Sequence, residues 1–316
     1  MRRMDAFTGL LDGPRARGAF LLRSIMDPPW SLRIQDQAPL TLVAVVRGEA
    51  WVVPDGGEPV LLRPGDVAIV RGPEPYTVAD DPATPPQIVI HPGQRCATPQ
   101  GEDLEQAMDL GVRTWGESPD GSTMMLTGTY QMRGEISQRL LDALPPLLVL
   151  AEDAWDCPLV PLLAAEIVKD EPGQEAVLDR LLDLLLIAVL RAWFSLQAAE
   201  APAWYRAHGD PVVGKALRML LNNPAHPWTV ATLAEGVGVS RAALARRFAE
   251  LVGEPPMAFL TGWRLAMAAD LLREGDVTVG AVARQVGYGS SFALSTAFKR
   301  VRGISPQEHR VGASAG

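Results

Sequence analysis

The sequence contains little cysteine and little histidine, and each scarcity excludes a class of site. The two cysteines, Cys96 and Cys157, are too few for a disulfide-stabilised scaffold in 316 residues and are typical of a reducing compartment. Of the four histidines only His91 lies in the first 130 residues, so a histidine-rich metal site is excluded there by counting. Neither a nucleophile elbow, a P-loop nor a dinucleotide fingerprint occurs. We therefore expect no catalytic residues, no metal and no cofactor.

Long apolar runs are also missing. The longest uninterrupted run, Leu184 to Leu190, has seven residues, whereas a membrane-spanning helix needs about 18. The first residues include Asp5 and Asp12 and contain no apolar segment of signal-peptide length. Since 47% of the residues are apolar and 21% charged, we expect a soluble cytoplasmic protein with no membrane partner. A net charge of −8, taken alone, argues against nucleic acid as a partner.

Short runs of branched apolar residues recur through residues 1–135, separated by turns rich in Gly and Pro. Strands at roughly ten-residue spacing predict an all-β sandwich or barrel, with a helix around 102–109 packed against it. Trp30, Trp51 and Trp115 are candidates for a pocket wall, although each is more often ordinary core. The runs are Leu40–Val46, Ala50–Val53, Val60–Leu62, Val67–Val70 and Ile88–Ile90.

A helical pattern follows over residues 136–200, with helices expected near 136–143, 159–169 and 175–197. The third helix is apolar over most of its circumference, so it is buried either in a core or against a partner subunit. We expect this region to be the dimerisation region of a homodimer. Residues 201–211 contain two Pro and one Gly and are expected to form a linker.

The last hundred residues contain an internal near-repeat. Ala234 and Gly238 recur 49 residues later, and Phe248, Gly253 and Pro256 recur 50 residues later. In each copy a Thr (Thr229 or Thr278) can cap a first helix, and a Ser can cap a second helix after a glycine turn: Ser240 in the first copy, Ser290 or Ser291 in the second. The pattern is that of a helix-turn-helix, whose second helix enters the major groove of DNA. Two helical hairpins without nucleic acid are the alternative, and the duplication favours DNA.

The segment GYGSSFALSTAFKRVRGISPQEHR, residues 287–310, resembles the C-terminal signature of the AraC/XylS family of transcription regulators. The resemblance covers about 212–310 and includes both helix pairs and the helix that links them. It implies an all-α double helix-turn-helix domain over 212–316 that binds double-stranded DNA. This chain departs from the family at His309, where Tyr is usual, and at Thr296, where Arg is common. We interpret His309 as a packing substitution.

The family resemblance assigns the DNA-facing positions on the two recognition helices. Arg246 is the best candidate for a bidentate contact to guanine, and Arg241 for guanine or phosphate. Lys299 and Arg300 are expected to meet phosphates, which set register without specifying sequence. Arg247 lies further round and is expected to be a solvated charge. The assigned positions are Arg241, Ala242, Ala245 and Arg246 on the first helix and Ser291, Phe292, Ser295, Thr296, Lys299 and Arg300 on the second.

The N-terminal part resembles the cupin-type ligand-binding domain that precedes some AraC-like DNA-binding domains. The resemblance rests on LLRPGDVAIV at 61–70 and on HPGQRC at 91–96. It implies a β-barrel over 1–135 that senses an unknown effector, either a small molecule or an oxidant. In HPGQRC a thiol near His91 and Arg95 is a possible redox sensor at Cys96. A buried structural cysteine is the favoured alternative.

The charges divide between the two halves of the sequence. Residues 212–316 contain 12 Lys and Arg and 7 Asp and Glu, a net +5, and the preceding 211 residues contain 17 and 30, a net −13. We therefore expect a two-domain α+β transcription regulator: a cupin-like barrel, a helical dimerisation region and a double helix-turn-helix. An activator would also contact RNA polymerase. The rival interpretations are a metal-free cupin enzyme and a helical interaction module without DNA binding.

Overall fold

The computed structural model describes residues 20–130, 135–155, 157–197, 201–273 and 277–314. Contacts divide these residues into two compact units. The N-terminal unit contains 20–130 and 141–196, and the C-terminal unit contains 135–140 and 201–314. No helix in the described part of the chain is long and apolar enough to cross a membrane.

Twelve strands of the N-terminal unit form two six-stranded sheets. The first has the order β10-β1-β11-β3-β6-β12 and the second β5-β4-β7-β2-β8-β9. The strands are β1 (Phe20–Met26), β2 (Ser31–Ile34), β3 (Leu40–Arg47), β4 (Ala50–Pro54), β5 (Val60–Leu62), β6 (Val67–Arg71), β7 (Tyr76–Ala79), β8 (Ile88–His91), β9 (Arg95–Ala97), β10 (Thr114–Gly116), β11 (Thr123–Tyr130) and β12 (Leu147–Leu150).

Side chains from both sheets share one apolar core, which contains Met26 and Val43 from the first sheet and Leu32 and Val78 from the second. The sheet-rich, cupin-like class expected from sequence is confirmed. The expected barrel is an open sandwich instead, because each sheet keeps its own hydrogen-bonded strand order and the two meet through side chains.

The helix expected around 102–109 is absent: these residues form turns and two isolated bridges. Two aspartates explain the difference. Asp103 Oδ1 accepts a hydrogen bond from the Glu105 amide at 2.9 Å, and Asp109 Oδ1 accepts one from the Gly111 amide at 2.9 Å. Such local side-chain bonds compete with the helical hydrogen-bond pattern.

Two helices of the N-terminal unit follow the strands, α2 (Leu159–Glu166) and α3 (Gln174–Leu196), after a short helix α1 (Glu135–Leu141). Helix α3 packs closely on β11, because Gly128 leaves room for Leu182: an added Cβ would lie 2.7 Å from Leu182 Cδ1. The buried Tyr130 hydroxyl also donates to the Leu182 carbonyl at 2.8 Å. The long helix therefore covers the first sheet.

The C-terminal unit is helical. Residues 201–211, expected to be a linker, contain helix α4, whose Ala207 is fully buried in the core of this unit. The helices are α4 (Ala203–His208), α5 (Val213–Asn222), α6 (Val230–Val237), α7 (Arg241–Val252), α8 (Pro256–Arg273), α9 (Val279–Val286), α10 (Ser291–Arg302) and α11 (Pro306–Ser314).

Candidate nucleic-acid interface

Helices α6 and α7 form the first helix-turn-helix pair, and local hydrogen bonds fix both helix starts. Thr229 Oγ1 accepts from the Thr232 amide at 3.1 Å, and Ser240 Oγ accepts from the Ala243 amide at 3.2 Å. Between them Gly238 ends α6 with a left-handed φ of +77°. Caps and turn are therefore those expected from sequence.

Helices α9 and α10 repeat this arrangement. Thr278 Oγ1 accepts from the Ala281 amide at 3.2 Å, and Ser290 Oγ accepts from the Ala293 amide at 3.1 Å. Of the two serines left open by the sequence, Ser290 is the cap. The equivalent helices have equal lengths in the two copies, 8 residues for the first and 12 for the second.

Helix α8 joins the two pairs by contributing to both cores. Phe259 and Leu260 belong to the core of the first pair, and Ala268 and Leu272 to the core of the second. Arg264 adds a polar connection, since its Nε donates to the Pro224 carbonyl at 2.7 Å. One continuous helix with a side in each core fixes the spacing of the two recognition helices.

The terminal signature also has a structural role. The Arg310 guanidinium donates to the carbonyl of Val277, before α9, and the His309 ring makes an edge contact with Phe298 at 5.4 Å. Ring packing at His309 agrees with the interpretation of this position as a packing substitution.

The face of α7 assigned to DNA carries two exposed arginines. Arg241, Ala242 and Arg246 are exposed and Ala245 is half-buried, while Leu244 and Phe248 on the opposite face are fully buried. The Arg246 side chain is 75% exposed and lies 3.7 Å from Glu250, a loose surface pair. Its guanidinium is therefore accessible to a ligand.

The equivalent face of α10 carries few charges at its start and several at its end. Ser291, Phe292 and Thr296 are exposed, and Ser295 is half-buried. Phe292 is 80% exposed. Lys299 and Arg300 are exposed near the end of the helix. The position of Arg246 is thus occupied by a neutral Thr296, and cations appear at a different part of the helix.

Arg247 is not the solvated charge expected from sequence. Its Nε and Nη2 donate to Asp210 Oδ2 at 3.0 and 2.5 Å, although the Arg247 side chain is still 48% exposed. Sequence reasoning missed Asp210, since 37 residues separate the two partners. One local feature of the sequence could have identified Asp210: it stands immediately before Pro211 and the start of α5.

A cavity of about 50 Å³ lies between the two sheets of the N-terminal unit. Its wall is mostly apolar and includes Trp115 of β10, one of the three tryptophans considered from sequence, and Thr129 of β11. Trp115 Nε1 and Thr129 Oγ1 are buried and have no hydrogen-bond partner in the described part of the chain. Each unpaired buried donor of this kind is energetically costly.

Two family descriptions match the chain: Cupin over residues 5–195 and Helix-turn-helix domain over residues 233–311. An AraC-like transcription regulator of Streptomyces lividans is 31% identical over 312 residues, which cover 97% of this chain and 98% of that protein. The chain belongs to the family of AraC-like transcription regulators. AlkR, an HTH-type transcriptional regulator of Acinetobacter baylyi, is 26% identical over 97% of this chain and 99% of that protein. The RCS-specific HTH-type transcriptional activator RclR of Escherichia coli is 30% identical over 60% of this chain and 68% of that protein.

In this AraC-like regulator the residues considered for redox sensing point to different sides of the second sheet. Cys96 is paired with Ile90 and is buried against the core, whereas His91 is paired with Arg95, and successive residues of a strand face opposite sides. His91 Nδ1 lies 3.3 Å from Gln35 Nε2. Burial, with smaller contributions from Glu105 and Asp103, raises the pKa of the Cys96 thiol to about 11. The structure therefore brings neither His91 nor Arg95 to the thiol.

The turn that carries the cupin resemblance is stabilised by Asp66. Its Oδ2 accepts from the Arg63 amide at 2.8 Å, and its Oδ1 accepts from the Glu152 amide at 2.9 Å. Gly65 precedes it with a φ of +90°. The Pro-Gly-Asp segment thus ties β5 and β6 to the segment after β12.

Proposed function

We propose that this AraC-like regulator reads bases mainly with α7 and contacts phosphates with the end of α10, and that a ligand in its N-terminal unit regulates this binding. The observation that carries the proposal is the contrast between Arg246, exposed and loosely paired, and Thr296 at the equivalent position of α10. An arginine can donate two hydrogen bonds to guanine, and a threonine offers one hydroxyl and a methyl group.

Substitution of Arg246 tests this division of roles. We expect Arg246→Ala to reduce the preference for a selected duplex over random DNA by about 5- to 150-fold, because each bidentate contact is worth about 1–3 kcal/mol of discrimination. Thr296→Ala should weaken specific binding only modestly. Gel-shift titrations of the full chain measure both, with Arg63→Ala between β5 and β6 as a control that removes an exposed arginine from the other unit. Equal effects of the two recognition-helix variants would contradict the ranking.

The cavity between the sheets supports regulation by a small molecule that is largely apolar and carries a hydrogen-bond acceptor for Trp115 Nε1 or Thr129 Oγ1. Asp36 also lines the cavity and disfavours an anionic ligand. A panel of small ketones and esters tests the proposal: at a fixed concentration, a binder raises the melting temperature of the full chain, and a tighter binder raises it more. If Trp115→Phe abolishes this increase in melting temperature, the binder lies in the cavity.

Regulation by an oxidant at Cys96 is the second candidate, because Cys96 lines the same cavity. Its raised pKa disfavours the reactive thiolate at neutral pH. Hypochlorite or peroxide treatment of the full chain and of Cys96→Ser distinguishes regulation by oxidation from regulation by a bound ligand. A change of DNA affinity in the parent chain but not in Cys96→Ser supports oxidation.

The remaining parts of the proposal concern assembly and location. The outer side of α3 exposes Val177 and Leu184, which supports a homodimer formed through this helix. We also infer that the chain has no enzymatic activity, acts in the cytoplasm where its DNA lies, and contacts RNA polymerase if it is an activator. Activation or repression of a reporter gene by the full chain tests the last point.

A further inference from the structure

Asp210 lies between α4 and α5 and uses its two carboxylate oxygens for different partners. Oδ1 accepts from the amides of Val212 and Val213 at 3.0 and 2.8 Å, which starts α5. Oδ2 accepts from both Nε and Nη2 of Arg247 on α7. Burial alone would raise the pKa of Asp210, but these amides and Arg247 outweigh it and leave the pKa below its usual value. The Asp210 carboxylate thus stabilises the start of α5 and also holds α7, the first recognition helix.

The corner that carries Asp210 is rigidly packed. An added Cβ at Gly214 would lie 2.1 Å from the His208 carbonyl oxygen, so α5 can approach the end of α4 only with glycine at this position. Ala207 is buried in the same core as Leu244 and Phe248 of α7. Helix α4 is therefore a fixed support for α7.

The second helix-turn-helix pair has no arginine at the position equivalent to Arg247. The position of Arg247 is taken by Ala297, which is 9% exposed and belongs to the apolar core of its pair. The support that Asp210 gives through Arg247 is thus not repeated at the equivalent position of α10.

We propose that Asp210 is a positioning residue for DNA reading: through Arg247 it holds α7 in the orientation that presents Arg241 and Arg246 to the bases. The inference rests on the proposed role of α7 in base reading. It also assigns the segment 203–210 to the DNA-reading domain, because both this ion pair and the shared apolar core join the segment to α7.

Asp210→Asn separates the two functions of the side chain. The asparagine keeps one oxygen as acceptor for the α5 amides, and its amide nitrogen then faces the Arg247 guanidinium, donor against donor. We expect about tenfold weaker binding to a duplex selected by the full chain from a random library, since hydrogen bonds between charged groups are the stronger ones. Arg247→Gln should lose the same factor, and the double variant no more than either, because both remove one interaction.

The salt dependence of binding distinguishes positioning from a direct contact. A residue that neutralises a phosphate contributes about 0.9 to the slope of log affinity against log salt concentration. We expect both variants to keep the parent slope between 50 and 200 mM KCl, roughly the range over which phosphate contacts are revealed. If Arg247 itself bound DNA, Arg247→Gln would lower the slope and Asp210→Asn would increase affinity by releasing the arginine.

Two further variants complete the experiment. Glu235→Gln on α6 removes an exposed carboxylate and should leave affinity unchanged, which controls for net charge. Arg246→Ala reports whether α7 reads bases at all. If this variant binds the selected duplex as tightly as the parent chain, the proposed function fails. If Arg246→Ala weakens binding and Asp210→Asn does not, only the positioning role is overturned. A melting temperature for each variant shows that the chain is folded.

Discussion

Gly287 has a φ of +90°, in the left-handed region, and an added Cβ would lie 2.7 Å from the Cα of Ala225. The turn of the second helix-turn-helix pair therefore approaches the backbone between α5 and α6. We expect Gly287→Ala to lower the free energy of unfolding by about 2 kcal/mol or more, since both backbone strain and a clash oppose the side chain. Urea unfolding of the full chain measures the change.

The matched control for this substitution lies two residues away. Gly289→Ala adds the same methyl group at a position with no neighbouring atom within 4 Å, so its effect should stay within about 0.5 kcal/mol of the parent. Equal destabilisation by the two variants would show that glycine at 287 is not required by the close approach to Ala225.

Thr129 offers a second residue-scale prediction. Its buried Oγ1 has no partner within the described residues, so Thr129→Val removes an unsatisfied polar group and keeps the shape of the side chain. We expect the ligand-free chain to gain about 1 kcal/mol in the free energy of unfolding. Thr41→Val is the control: Thr41 shares a hydrogen bond with Tyr76, so its loss should destabilise. A loss of stability at both positions would mean that Thr129 is hydrogen-bonded in solution.

Among the elements, α3 has an exposed apolar side opposite its buried side. Leu178, Leu182 and Leu185 are buried, whereas Leu184 is 49% exposed. We expect Leu184→Glu to shift the full chain from dimer to monomer, since it places a charge in an apolar interface. Sedimentation velocity measures the shift, and Val112→Glu, at an exposed valine outside the helices, should leave the dimer intact. A parent chain that sediments as a monomer would contradict the proposed homodimer.

The elements also show which parts of the structure are visible in the sequence. The caps at Thr229, Ser240 and Thr278 were predictable because a cap depends on residues within one turn. Strand β12 and the Asp210–Arg247 pair were not, because each depends on a partner far along the chain: Leu147 pairs with Val70, and 37 residues separate Asp210 from Arg247. The cavity was not predictable for the same reason, because its wall combines strands that are far apart in the sequence, β1 and β11 with β8 and β9.

At the scale of the whole molecule the uneven charge is the main electrostatic feature. The net charge is +5 over residues 212–316 and −13 over the rest, so attraction to DNA depends on where a cation lies and not on the total. The exposed Lys299 and Arg300 at the end of α10 are the cations proposed to meet phosphates. Removal of either should weaken specific and non-specific binding by the same factor, because a phosphate contact carries no sequence information.

The salt slope of the full chain tests this dependence on position. Lys299→Ala and Arg300→Ala should each lower its magnitude by about 0.9, the contribution of one released counterion. Lys169→Ala also removes one positive charge, but Lys169 lies after α2 and is paired with Glu166 at 2.6 Å, so we expect the slope to stay unchanged. If all three variants changed the slope equally, net charge would govern binding. If Lys299→Ala changed the preferred sequence, α10 would read bases, and the proposed division between the two recognition helices would be wrong.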